Sequence, residues 1–129
     1  MKRLVVSLLS VFVLGMFAQS AFALPAVCKL WIENAYADSP VAEAAKEAKC
    51  NICHYGKSKK NRNDYGTCLS KLGVTKDAYN SLKDDPEKLE ATLKELFKKA
   101  ESAKSVGGKT FGELIKAGKL PGTAPEGEE

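Results

Sequence analysis

The chain has 129 residues and a formal net charge of +4, from 20 basic and 16 acidic side chains. This length allows one small domain with a modest hydrophobic core. Without its first 23 residues the chain would keep 18 basic side chains against 16 acidic ones, a net charge of +2, which excludes the strongly basic balance of a nucleic-acid-binding protein.

The first 23 residues are typical of a secretory signal. A basic start precedes an apolar run over residues 4–18, and an A-x-A cleavage pattern ends at Ala23. The apolar run falls short of the ~20 residues that span a membrane, which favours a cleaved signal over a retained anchor. A second A-x-A pattern ends at Ala37, and cleavage there would remove Cys28. We expect cleavage after Ala23, export to the periplasm and no stable membrane span afterwards.

The segment after the signal predicts two helices before the centre of the chain. Residues 24–38 predict a short helix or an ordered arm that packs its aromatic side chains on the domain, either against a cofactor or on the protein core alone. The Ser39-Pro40 pair has the cap and first-turn residues of a helix start. We expect this second helix to deliver Cys50 and Cys53 near its carboxyl end.

The second half of the chain predicts four further helices. A short one is expected over residues 68–72, and Thr75 and Thr110 are placed to cap two others. The longest is expected to follow Pro86 and to run from residue 87 to about residue 104. Its apolar residues recur on one face: Leu89, Leu93, Leu96, Phe97 and Ala100. Because no strand alternation and no internal repeat are found, the expected fold class is all-α.

The expected domain organisation has three parts. A signal peptide occupies residues 1–23, and a helical domain occupies residues 24–120. Residues 121–129 contain proline, glycine and glutamate and have little to bury, so they predict a disordered acidic tail.

The motif that carries chemistry is Cys50-Asn51-Ile52-Cys53-His54. A C-x-x-C-H run is the attachment signature of c-type haem, in which two thiols about one helical turn apart add to the vinyl groups of one porphyrin. The adjacent His54 can bind the iron, and it is the single histidine of the chain. The motif predicts one covalently attached haem c held by Cys50 and Cys53, with His54 as the iron ligand.

Two other chemistries use paired cysteines. Zinc could take four ligands from the cysteines and the histidine, but structural zinc sites usually bring two C-x-x-C-like units and this chain has one. A thioredoxin-type dithiol needs a βαβ context, which a helical sequence lacks. The export signal adds to the preference for haem.

Two features of the sequence leave the iron's environment open. Both methionines, Met1 and Met16, lie in the expected signal, so a His/Met or His/His pair from the mature chain is excluded. An open or water-bound iron, a lysine, a tyrosine, an asparagine or a cysteine thiolate remain as alternatives. Cys28 and Cys68 could form a disulfide in an oxidising compartment, bind the iron, stay unpaired or pair between chains.

Residues 57–62 are rich in positive charge, with four basic side chains in six positions. Positive charge near an exposed haem edge would steer an acidic redox partner toward it. A solvated loop is the alternative, and pairing of Arg62 or a neighbouring lysine with a haem propionate is a third use.

Residues 48–66, AKCNICHYGKSKKNRNDYG, resemble a block found in small exported cytochrome c domain proteins of planctomycete-type bacteria. In that family a K-C-N-x-C-H-x-G-K-x-K-K-x-R-N-x-Y-G block lies between a signal peptide and a lysine-rich helical tail. The resemblance implies a small cytochrome c-like helical domain around one haem on Cys50 and Cys53, with iron on His54. The Gly-Pro and the late methionine of well-studied class I cytochromes c are missing here.

Together these patterns predict a periplasmic mono-haem c-type cytochrome that transfers single electrons between redox partners and is not an enzyme. Its expected partners are a redox protein of acidic character and the haem-attachment machinery. A haem-based gas or redox sensor, or a weak peroxidase with an open sixth iron position, is the alternative that the missing methionine favours. A structural module stabilised by zinc or a disulfide is a third hypothesis.

Overall fold

The structure, a computed structural model, describes residues 24–56 and 61–124. The expected signal peptide, three of the four basic residues in the 57–62 stretch and residues 125–129 lie outside this part of the chain. Each helix in the described ranges is too short or too polar to cross a membrane.

The described residues are mostly helical, which confirms the coarse fold class that the sequence predicts. Within residues 24–56 and 61–124, six α-helices are joined by two tight helical turns and one short hairpin. In chain order the elements are α1 (Pro25–Leu30), a π-helical turn (Trp31–Ala35), α2 (Ala42–Ala48), a 3-10 turn (Lys49–Ile52), β1 (His54–Tyr55), β2 (Asn61–Arg62), α3 (Asp64–Leu72), α4 (Lys76–Leu82), α5 (Pro86–Ala100) and α6 (Phe111–Lys116).

The helix starts that the second half of the sequence predicts at Thr75, Pro86 and Thr110 are confirmed. The Thr75 hydroxyl accepts a hydrogen bond from the backbone of Ala78 at 3.2 Å and caps α4. Pro86 opens α5, where it occupies a first-turn position that has no hydrogen bond to lose. Thr110 and Glu113 exchange hydrogen bonds in a capping box at the start of α6. Local chemistry at the helix starts therefore sets these boundaries.

The apolar face of α5 forms part of the core, as the periodicity predicts. Leu89, Leu93, Phe97 and Ala100 are buried, while Leu96 is only partly buried. The helix ends at Ala100, four positions before the expected end. The largest fully buried side chains of the core are those of Trp31, Tyr65, Phe97 and Phe111. The core thus joins α1 and its following turn to α3, α5 and α6.

The second helix differs from the expectation in both its start and its end. The Ser39 carbonyl and hydroxyl accept hydrogen bonds in a turn, and α2 begins at Ala42. The helix ends at Ala48 because Lys49 adopts a positive φ of 52°, which no α-helix can continue. Cys50 and Cys53 therefore lie on and just after a separate 3-10 turn rather than at the end of an α-helix.

Two other expectations about the middle of the chain are wrong in detail. The helix expected over residues 68–72 begins four residues earlier, at Asp64. A two-stranded antiparallel hairpin, with His54 opposite Arg62, interrupts the helical pattern. Each of its strands has two residues, which is too short to produce an alternating apolar pattern in the sequence.

The start of the expected acidic tail is packed on the domain. Pro121 is fully buried, and the backbone N–H of Thr123 donates to the Asp64 carboxylate at 2.6 Å. The expectation of disorder is therefore wrong for residues 121–124, because proline offers an apolar ring and the following backbone finds an acceptor on α3. Residues 125–129 lie outside the described part of the chain.

Candidate functional site

The C-x-x-C-H motif lies between α2 and the hairpin. The 3-10 turn is closed by a hydrogen bond from the backbone N–H of Cys53 to the carbonyl oxygen of Cys50, at 3.2 Å. Both cysteines are partly buried, and His54 follows directly as the first residue of β1. The structure therefore keeps the three predicted haem-binding residues on one short, hydrogen-bonded segment.

The hairpin sets the chemistry of the His54 ring. Its Nδ1 lies 3.2 Å from the carbonyl oxygen of Asn61, on the opposite strand. A carbonyl oxygen can only accept a hydrogen bond, so Nδ1 must carry the proton. In the neutral ring the lone pair is then on Nε2, which is the nitrogen that binds a metal in this tautomer. A backbone acceptor for the other ring nitrogen is a common feature of metal-binding histidines.

Asn63 connects the motif to α3. Its backbone N–H donates to the carbonyl oxygen of Cys53 at 2.9 Å, and its side-chain amide donates to the carbonyl oxygen of Ile52 at 3.0 Å. The Asn63 side-chain oxygen accepts from the backbone of Gly66 at 2.9 Å and caps the helix. Asn63 is 3% exposed, so these bonds form away from water and fix the last residues of the motif against α3.

Gly66 allows α3 to approach the motif closely. A Cβ atom at this position would overlap the backbone carbonyl of Cys53 and contact its side chain. Glycine is therefore required by the close approach of two backbones. Asn63 and Gly66 are the positioning residues that sequence reasoning missed, although Asn63 has the signal of an N-cap residue directly before Asp64.

Three of the four cysteines form a cluster. The Cys28 thiol on α1 is a close neighbour of the Cys50 thiol, and Cys53 lies close enough to interact electrostatically with both. Burial, strengthened by the neighbouring thiols, raises the pKa of Cys28 to about 12. Burial also raises the pKa of Cys53 to about 12, with Arg62 opposing the shift. Cys28 and Cys53 are therefore neutral thiols at physiological pH.

Cys68 lies apart from this cluster. It is on α3, where its nearest charged neighbours are Lys71 and Asp64, and burial raises its pKa. All four cysteines are free thiols. The Cys28–Cys68 disulfide considered from the sequence is not formed here, because the packing of α1 places Cys28 against Cys50 instead.

An aromatic cluster lies behind the motif. The indole N–H of Trp31 donates to the hydroxyl of Tyr65 at 2.8 Å, and the Trp31 ring packs on Tyr36 with ring centroids 4.3 Å apart. Burial, and then the neighbouring Tyr36 and Cys53, raise the pKa of Tyr65. The aromatic side chains of residues 24–38 therefore pack into the protein core.

In residues 24–56 and 61–124, no group of three or more His, Cys, Asp or Glu side chains is arranged to hold a metal ion. Structural zinc takes four protein ligands, whereas a haem iron needs only one histidine. Arg62, opposite His54 in the hairpin, is the described cation of the basic stretch beside the motif.

Comparisons of the chain with protein-family models, with curated proteins and with solved structures found no match.

Proposed function

We propose that this protein is an exported, periplasmic c-type cytochrome with one haem, which transfers single electrons between redox partner proteins. The observation that carries the proposal is the hydrogen bond from His54 Nδ1 to the Asn61 carbonyl, next to two thiols with the C-x-x-C spacing. The bond leaves the metal-binding lone pair on Nε2. A c-type haem needs such a set of two thiols and one oriented imidazole.

Each residue of the set has a separate role in this proposal. Cys50 and Cys53 would hold the porphyrin through thioether bonds, and His54 would provide the protein ligand to the iron. Haem c, when bound, supplies an iron that accepts and releases one electron at a time. Arg62 has the position and charge to pair with a haem propionate.

The surrounding fold supports attachment by keeping the segment rigid. Asn63 holds the carbonyl groups of Ile52 and Cys53, so the direction of the chain at the motif is set before a cofactor arrives. A covalent bond also suits a domain of this size, which could not enclose a porphyrin fully. The proposed fold is accordingly a small cytochrome c-like helical domain around the haem.

Absorbance spectra of the full chain, exported together with a haem-attachment system, test the proposal. The purified protein should be red, and its haem should stay with the polypeptide after denaturation. Replacement of both Cys50 and Cys53 by alanine should abolish covalent haem, whereas Cys68→Ala, a cysteine outside the cluster, should keep it. A colourless wild-type protein, made beside a c-type cytochrome that does acquire haem, would overturn the proposal.

A gas or redox sensor, or a weak peroxidase, is the second candidate. The sequence after residue 23 has no methionine and no second histidine, which leaves the sixth iron position without its usual ligands. Reduced spectra separate the two functions. Sharp, split visible bands with no response to carbon monoxide indicate a filled sixth position and an electron carrier. Broad bands that sharpen on addition of carbon monoxide indicate an open position and favour the sensor or peroxidase.

A further inference from the structure

We propose that Cys28 and Cys50 form an exchangeable disulfide in the haem-free protein, and that this bond blocks haem attachment at Cys50. The first half concerns the polypeptide alone. The second half rests on the function proposed above. Cys28 would thus be a redox control residue for the site, although it lies outside the C-x-x-C-H motif.

The packing of α1 supports the first part of the proposal, the disulfide between Cys28 and Cys50. This helix lies against the 3-10 turn that holds Cys50, and the two thiols are close neighbours there. Val27, directly before Cys28, is buried in the same core as Ile52 of the turn. Because buried neighbours fix both segments, the two sulfur atoms are held together without a large loop having to close.

The other possible partners are less well placed. Cys53 also interacts electrostatically with Cys28 and Cys50, but it packs against Gly66 of α3. Its carbonyl oxygen accepts a hydrogen bond from the backbone N–H of Asn63 at 2.9 Å, which ties Cys53 to the start of α3. Cys68 has Lys71 and Asp64 as its neighbours rather than another thiol. The geometry therefore favours the Cys28–Cys50 pair over the pairing within the C-x-x-C motif.

The oxidant is an external disulfide, either a small molecule or an oxidised thiol–disulfide oxidoreductase, of the kind found in oxidising compartments. One cysteine attacks it as a thiolate, forms a mixed disulfide and releases one external thiol. The second cysteine then displaces the other external thiol and forms the Cys28–Cys50 bond. The protein loses two protons and two electrons, and the external disulfide is reduced to two thiols.

Oxidation has a direct consequence for cofactor attachment. A thioether forms when a free thiol adds across a haem vinyl group, with its proton going to the vinyl carbon. A Cys50 sulfur bonded to Cys28 has no thiol to add. Reduction by an external thiol, with reversal of the exchange, must come first. After attachment at Cys50, Cys28 would have lost its partner and could no longer form this bond.

Peptide mapping of the haem-free full chain tests the disulfide. The protein is reduced, transferred to oxidised glutathione, alkylated and digested with trypsin. Cleavage after Lys29, Lys49, Lys57, Arg62 and Lys71 places Cys28, the Cys50/Cys53 pair and Cys68 on three different peptides. We expect two of the four thiols to be lost and the Cys28 peptide to be joined to the peptide of residues 50–57.

Single variants identify the sulfur atoms. Cys53→Ser should keep the cross-link to Cys28, and Cys50→Ser should abolish it. Cys68→Ser, outside the cluster, is the matched control and should give the wild-type map. A Cys50–Cys53 bond, a bond to Cys68 or four remaining thiols would overturn the proposal.

Haem attachment tests the second half and separates the two proposals. In an oxidising medium with a haem-attachment system, Cys28→Ser should incorporate more haem than wild type, and added reductant should remove the difference. If no variant takes up haem while the cross-link maps as expected, the proposed function fails and the disulfide stands. If wild type and Cys28→Ser load equally in oxidising medium, the blocking role is wrong.

Discussion

The side-chain amide of Asn63 donates a hydrogen bond to the carbonyl oxygen of Ile52, at 3.0 Å and eleven positions along the chain. The same side chain caps α3 through its oxygen. One buried residue therefore orients the C-x-x-C-H segment and starts the helix that packs against it. Its removal should affect both the stability of the domain and the order of the motif.

Asn63→Ala should lower the free energy of unfolding by about 2–4 kcal/mol, because it removes a helix cap and leaves a buried carbonyl without its donor. Thr75→Ala is the control, since Thr75 caps a different helix, α4. That variant should lose about 1 kcal/mol. Urea unfolding measures the free energy of unfolding of both variants. Equal losses of stability in Asn63→Ala and Thr75→Ala would show that Asn63 acts as a helix cap alone.

Gly66→Ala should destabilise the domain although alanine is the better helix former. A methyl group at this position meets the Cys53 carbonyl, and relief of the overlap should cost about 1–3 kcal/mol, more than the gain of about 1 kcal/mol from helix propensity. Thr67→Ala, the exposed neighbour on the same helix, should be neutral or slightly stabilising. Thermal unfolding of the two variants checks the sign, and a stabilised Gly66→Ala would contradict the close approach.

Lys49→Gly should raise stability. Lys49 has φ 52° and ψ −122°, a conformation that costs a residue with a side chain about 1–3 kcal/mol and that glycine adopts readily. The opposite sign is expected for Glu47→Gly in the preceding helix, which should lose about 0.5–1 kcal/mol. Chemical unfolding of the Lys49→Gly and Glu47→Gly variants gives the change in the free energy of unfolding for each. A loss of stability in Lys49→Gly would mean that the Lys49 side chain has a role of its own.

Alkaline pH should destabilise the protein partly through Tyr36. Burial, and then the hydrogen bond to Glu101 at 2.8 Å, raise the pKa of Tyr36 above its ordinary value of 10.0, while Tyr65 lowers it slightly. The unfolded chain then releases a proton above pH 10 that the native protein keeps, so stability falls as the pH rises. Tyr36→Phe should reduce this slope by about 1.4 kcal/mol per pH unit.

The measurement is the unfolding free energy at several pH values above 10, together with tyrosinate absorbance. Wild type should show tyrosinate absorbance from Tyr36 only on unfolding. If wild type and Tyr36→Phe have the same slope, Tyr36 titrates normally in the native protein and the hydrogen bond to Glu101 does not hold its proton.

The parts of the fold that follow from local chemistry could be predicted from the sequence. Thr75 and Thr110 are followed by the helices they cap, and the 3.6-residue repeat of α5 marks four of its buried side chains. These features depend on residues within a few positions of one another, so a short window of sequence contains them.

The parts that depend on tertiary contacts could not be predicted. Gly66 disfavours a helix locally, and the close approach of α3 to the Cys53 backbone explains why a glycine lies within this helix. Lys49 has no sequence signal for a positive φ. The cysteines make the same point, because the sequence left a Cys28–Cys68 disulfide as one of several alternatives, whereas the packing of α1 places Cys28 near Cys50.

The buried position of Trp31 also provides an optical probe. It is the single tryptophan of the chain, is 1% exposed and is bonded to Tyr65, which in turn neighbours Cys53. Its fluorescence comes from one known place in the core. A porphyrin attached at Cys53 would lie within energy-transfer range and quench that emission, whereas the haem-free protein would keep it. Cofactor loading and unfolding could thus be followed in one cuvette without any label.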